Sequence, residues 1–129
     1  KHLMGEKIMR PSYEGSHNIA MKVPPHQYEA TVAFYRDIIG LEPLTNHLPY
    51  VGFHFGSNQL WIDKAPGLSQ SELWLEIAAD NVGAAAGDLA EAGIVRCDEI
   101  EELPEGHKDF WITSPAQIIH HVSQKGEGW

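Results

Sequence analysis

The stretch YEATVAFYRDIIGLEPL, Tyr28–Leu44, constrains the fold more than any other, because it combines a two-striped apolar helix, a glycine stop and the entry to a strand. Tyr28, Val32, Tyr35 and Ile39 fall on one helical stripe, and Ala30, Phe34 and Ile38 on a second beside it. A face that wide, about half of the helix surface, must be buried against something. Gly40 stands where a left-handed C-terminal residue is wanted, and Leu41 followed by Pro43 keeps the helix from continuing. The same plan recurs downstream. Val82, Ala85, Ala86 and Leu89 form one stripe from Asn81 to Ala92, Asp80 is placed to cap it, and Gly93 matches Gly40.

Strands are expected around both helices. In SHNIAMKV, Ile19, Met21 and Val23 share one face and Asn18, Ala20 and Lys22 the other, with the apolar face toward the helix. Pro24 and Pro25 end that strand, and Glu29 is expected in the helix's first turn. Three short strands should follow, near Glu42–Asn46, Tyr50–Gly56 and Asn58–Lys64, and Ala65–Ser71 reads as a linker. The second half offers Glu72–Ala79, with Leu73 or Leu75, Ile77 and Ala79 toward a core. After its helix come Ile94–Ile100, the acidic turn Glu101–Lys108, Asp109–Thr113 and Gln117–Gln124. Each half therefore reads βαβββ, giving a mixed α+β chain about a quarter helical. One domain over 16–124 is expected, with module one at 16–64 and module two at 72–124. Residues 1–15 are expected to be a leader and 125–129 a tail.

FYRDIIGL, Phe34–Leu41, following the HNIAMKV strand, resembles the first module of the vicinal oxygen chelate superfamily. That superfamily holds glyoxalases, extradiol dioxygenases, fosfomycin-modifying enzymes and bleomycin-resistance proteins. The resemblance runs from Ser16 to Gln124 and implies two βαβββ modules forming a half-open barrel around a cavity, often paired as a homodimer. It implies too that a divalent metal is held by residues of the first and last strands of each module. Such a metal needs imidazole or carboxylate ligands converging at about 2.0 to 2.3 Å.

The four positions fit that requirement unevenly. On the first strand the choice is between His17, by chemistry, and Asn18, by alignment on Val23. On the strand closing module one, Leu60 and Ile62 read as core, so Gln59, Trp61 and Asp63 face the cavity, and Trp61 stands where the family has a carboxylate. WLEIAAD puts Trp74 in place of a ligand histidine, with Glu76 on the same face. In SPAQIIHHV, His120 replaces the family's glutamate, with His121 as the alternative register. His17 and His120 are thus the candidate metal pair of an incomplete site. Asn18, Lys22, Trp61, Asp63, Trp74, Glu76 and His120 are the candidate ligand-contacting residues, with Trp61 and Trp74 expected in one cavity with His120. His26 and His54 are read as a loop and a strand residue without a role.

Composition narrows the partners. The formal net charge of −9 opposes nucleic-acid phosphates and favours a cationic or zwitterionic small organic molecule. No stretch approaches the roughly 20 apolar residues of a membrane helix. The single cysteine, Cys97, excludes an internal disulfide and suits a cytoplasmic setting. The leading functional expectation is small-molecule binding of the bleomycin-resistance kind, without the family's full metal site. The alternative is a metal-dependent lyase, isomerase or dioxygenase.

Overall fold

The structure is a computed structural model that describes residues 10–103 and 105–127. Residues 1–9 of the expected leader and the last two residues of the expected tail lie outside the described residues. Two compact units emerge: Ser16–Glu76, and a second made of the chain up to Gly15 together with the chain from Ile77 onward.

In the Ser16–Glu76 unit, strand β2 (Asn18–Val23) leads through Pro24 into helix α1 (Pro25–Ala33), with proline at the start of the helix where its missing N–H costs nothing. Two further strands, β3 (Val51–Phe55) and β4 (Asn58–Lys64), and the first residues of β5 (Glu72–Ala79) complete its sheet. β4 runs parallel to β2 and antiparallel to β3, while β5 is antiparallel to β2 on its other side. The alternation on β2 and β4 holds as expected. Val23, Leu60 and Ile62 pack with Phe53 and with Val32 of α1, joined by Ile19, Met21, Tyr28 and Tyr35. Burying that apolar face is what holds the helix on the sheet.

Five local expectations are corrected. α1 starts at Pro25, so His26 is helical and Glu29 lies beyond the first turn. After Ala33 the chain widens into a π-helical turn, Phe34–Ile39, that ends at Gly40 in the left-handed region, φ 78°. An i to i+5 winding adds a residue to the turn and swings later side chains off the stripe. Phe34, Ile38 and Ile39 are therefore exposed, Ile38 at 74%, and only the Tyr28–Val32–Tyr35 stripe meets the core. The strand expected at Glu42–Asn46 is a single bridge from Pro43 to Phe53. On β5 it is Leu73 and Leu75 that are exposed, while Trp74 and Glu76 are buried.

The other unit repeats the plan. β1 (Tyr13–Gly15), at the end of the segment expected to be a leader, pairs antiparallel with the end of β5, Tyr13 opposite Ala79. Helix α2 (Val82–Glu91) is capped by Asn81, whose Oδ1 accepts the Ala84 N–H, and not by Asp80, which accepts from Ser12 N–H instead. Val82 and Ala85 are buried with Ala79, Phe110, Ile112 and Val122, and Ala86 and Leu89 pack against them as expected. The strand expected at Ile94–Ile100 shrinks to β6 (Val95–Arg96) and a 3-10 turn at Asp98–Ile100. β7 (Phe110–Thr113) joins β6 to β8 (Ile119–Gln124), antiparallel to both.

Candidate functional site

The face of the Ser16–Glu76 sheet that does not pack on α1 is built by register. Lys22 lies between Asp63 on β4 and Glu72 on β5, and Ala20 lies between Trp61 and Trp74. Asn18 is opposite Gln59, and its amide Nδ2 donates to Glu76 Oε1 at 3.0 Å. Three rows result: charged, aromatic around a methyl, and polar. Period-two alternation puts all three on one side of the sheet, because successive side chains of a strand point to opposite faces.

Each row has its own physics. In the charged row Lys22 Nζ donates to Asp63 Oδ2 at 2.8 Å and sits 4.3 Å above the centre of the Trp74 ring. The Lys22 side chain is 9% exposed and that of Asp63 32%. A buried ammonium needs such a counter-ion, and the aromatic face adds a second, non-directional attraction. In the polar row Asn18 Oδ1 accepts from Gln59 Nε2 at 2.7 Å and from Trp61 Nε1 at 2.8 Å. One amide thus ties β2, β4 and β5 together. Trp74 Nε1 donates to Glu72 Oε1 at 2.9 Å. Trp61 bends its benzo edge over Gly52 of β3, where a Cβ would stand 2.6 Å from its Cε3, and His47 meets it edge-on at 5.9 Å between ring centres. Gly52 is the residue that makes room for the indole.

The structure therefore brings Asn18, Lys22, Trp61, Asp63, Trp74 and Glu76 together on one face. His17 falls outside β2 at an exposed bend, so Asn18 holds the strand position. His120 lies on β8 in the other unit, where its Nδ1 is 3.0 Å from the Ile118 carbonyl oxygen. In that unit the imidazole beside a carboxylate is His121: its Nε2 is 3.1 Å from Asp109 Oδ2, and its ring stacks on Trp111 at 4.8 Å. His107 Nδ1 is 3.6 Å from the same oxygen. Sequence reasoning passed over Glu72, Gly52, His47 and the pivotal place of Ala20. The register between β2 and β5 reveals Glu72 and Ala20, that between β3 and β4 reveals Gly52, and the ring contact with Trp61 reveals His47. Cys97 has its thiol pushed up by burial, then by Glu99 and Asp98, which keeps it a poor nucleophile.

The residues on this face do not fit a divalent metal. Both N–H groups directed at Asn18 Oδ1 occupy the oxygen a metal would need, and the indoles of Trp61 and Trp74 offer no lone pair to one. Among the described residues no group of three or more His, Cys, Asp or Glu side chains is arranged to hold a metal ion.

No protein-family model matches the chain, and no curated protein does. Solved structures do. The Mn(II)-bound glyoxalase from Novosphingobium aromaticivorans superposes at TM-score 0.60 with 18% identity, over 92% of this chain and 43% of that one. A glyoxalase/bleomycin resistance protein/dioxygenase superfamily member from Vibrio splendidus 12B01 gives 0.52 at 13% identity, over 83% and 97%. A variant of homoprotocatechuate 2,3-dioxygenase from Brevibacterium fuscum gives 0.58 at 15%, over 89% and 33%. This chain thus spans less than half the length of the glyoxalase and about a third of the dioxygenase. With two helix-and-strand units, each helix stopped by a left-handed glycine, and these neighbours, the chain has the α+β fold of the vicinal oxygen chelate superfamily.

Proposed function

We propose that this protein binds a small organic molecule on the aromatic and charged face of its Ser16–Glu76 unit, without the metal site of its metal-dependent relatives by fold. The observation that supports this reading is the convergence of Lys22, Glu76, Trp61 and Trp74, each 7% exposed or less, on a face that also carries Asp63 and Asn18. Charged groups are seldom placed this deep without a role, and flat aromatic surfaces beside them suit an organic guest with a polar head. The guest is zwitterionic or cationic, in keeping with the net charge of −9.

Screening a mixture of charged and neutral aromatic fragments by NMR tests this. Binding should shift the indole N–H signals of Trp61 and Trp74 and leave that of Trp111 in place. Shifts confined to the rest of the molecule, or none with any fragment, would remove the reading.

A further inference from the structure

The centre of the face carries a further consequence, which rests on the binding reading above. Ala20 is flanked across both neighbouring strands by tryptophan, yet it keeps some solvent exposure while both indoles are buried. The reason is the direction of the rings. Trp61 leans over Gly52 on β3, and Trp74 lies beneath Lys22 in the charged row. The two indoles are rooted about 10 Å apart across the strands, and the partly exposed methyl of Ala20 between them is the floor of a candidate slot.

We propose that this slot takes a flat ring, and that the charged row one step along the strands takes a zwitterionic head. The guest class is that of an aromatic α-amino acid. The row reads carboxylate, ammonium, carboxylate: Asp63, Lys22, Glu72. An unaccompanied anion at Lys22 would meet the two flanking carboxylates and the chain's net charge of −9, and an unaccompanied cation would meet Lys22. A molecule carrying both charges on one carbon avoids both penalties. Its carboxylate takes the place of the Asp63 carboxylate on Lys22 Nζ, and its ammonium pairs with Asp63 or Glu72. That exchange is open from solvent, because Asp63 is the partly exposed member of the pair and Lys22 the buried one. The ring then reaches back over Ala20, one row or about 7 Å away.

Three probes that share a ring and differ in head decide this: L-phenylalanine, 3-phenylpropionate and phenethylamine, titrated calorimetrically and by indole N–H shifts. L-phenylalanine should bind at least tenfold more tightly than either single-charge analogue. Lys22→Met should lower its affinity at least tenfold, to that of phenethylamine, while Lys22→Arg retains most of it. Ala20→Leu should abolish binding of all three with an unchanged circular dichroism spectrum; should that variant fail to fold, Ala20→Val must weaken all three. Equal or tighter binding of either analogue overturns the zwitterion assignment, as does indifference to Lys22→Met. If the fragment mixture finds ligands on this face and L-phenylalanine does not bind, this inference falls while the binding reading stands; if nothing binds there, both fall.

Discussion

The two units share a plan and differ in what they bury. The Ser16–Glu76 unit sets an ammonium, a buried carboxylate and two indoles on the face of its sheet away from α1, cross-linked through one amide, Asn18. The other unit sets a stacked imidazole, His121, over Trp111 and beside Asp109. Helix, left-handed glycine and apolar packing are common to both, so they belong to the fold. Among the described residues the Asp63–Lys22–Glu72 and Trp61–Ala20–Trp74 rows lie in the Ser16–Glu76 unit, and a feature that the shared fold does not require is where function is best sought.

The largest expected effect checks the shared part. Phe53 and Phe110 are the largest fully buried side chains of their respective cores. Phe53→Ala and Phe110→Ala should each cost about 3–5 kcal/mol in urea unfolding. A loss below about 1 kcal/mol in one of them would break the equivalence of the two cores.

The next checks the difference. Asn18→Ala strips partners from Gln59, Trp61 and Glu76 at once and should cost about 2–3 kcal/mol. A near-neutral result would show that the amide does not tie the strands. Gly52→Ala places a methyl against Trp61 and Leu44 and should cost about 1–3 kcal/mol while shifting the Trp61 indole N–H signal. An unmoved signal would mean that the indole does not lean on β3.

The smallest effect concerns the other unit. Asp88 accepts from Arg10 and from the Tyr13 hydroxyl at 2.6 Å, and those bonds hold its carboxyl below the usual range. A carboxyl depressed on folding contributes stability that is present above its unfolded value and is lost as pH falls through its folded value. Asp88→Asn should therefore flatten the acid limb of the stability curve. Burial, and then Asp88, push the Tyr13 hydroxyl up to about 12, so its contribution is lost as pH rises from 10 toward that value. Tyr13→Phe should cost about 1 kcal/mol at neutral pH and remove the alkaline loss. Acid and alkaline limbs unchanged in both variants would detach β1 from α2.

Local chemistry wrote much of this protein into its sequence. Period-two alternation placed Leu60 and Ile62 in the core and Trp61 and Asp63 opposite them, because a strand has only two faces. Gly40 and Gly93 marked both helix ends, because few residues other than glycine accept a left-handed backbone readily. What the sequence could not fix depended on neighbours distant along the chain. A π-helical turn exposed Ile38 and Ile39 although their spacing demanded burial, since a single extra residue in the winding rotates the stripe. Leu73 and Leu75 are as apolar as a core strand requires, yet pairing with β2 turned Trp74 and Glu76 inward. The choice between His17 and Asn18 was equally open until β4 and β5 supplied Gln59, Trp61 and Glu76 as partners for the amide. Alternation says which residues share a face, but only strand pairing decides which faces meet, and the rows around Lys22, Ala20 and Asn18 exist in that pairing alone.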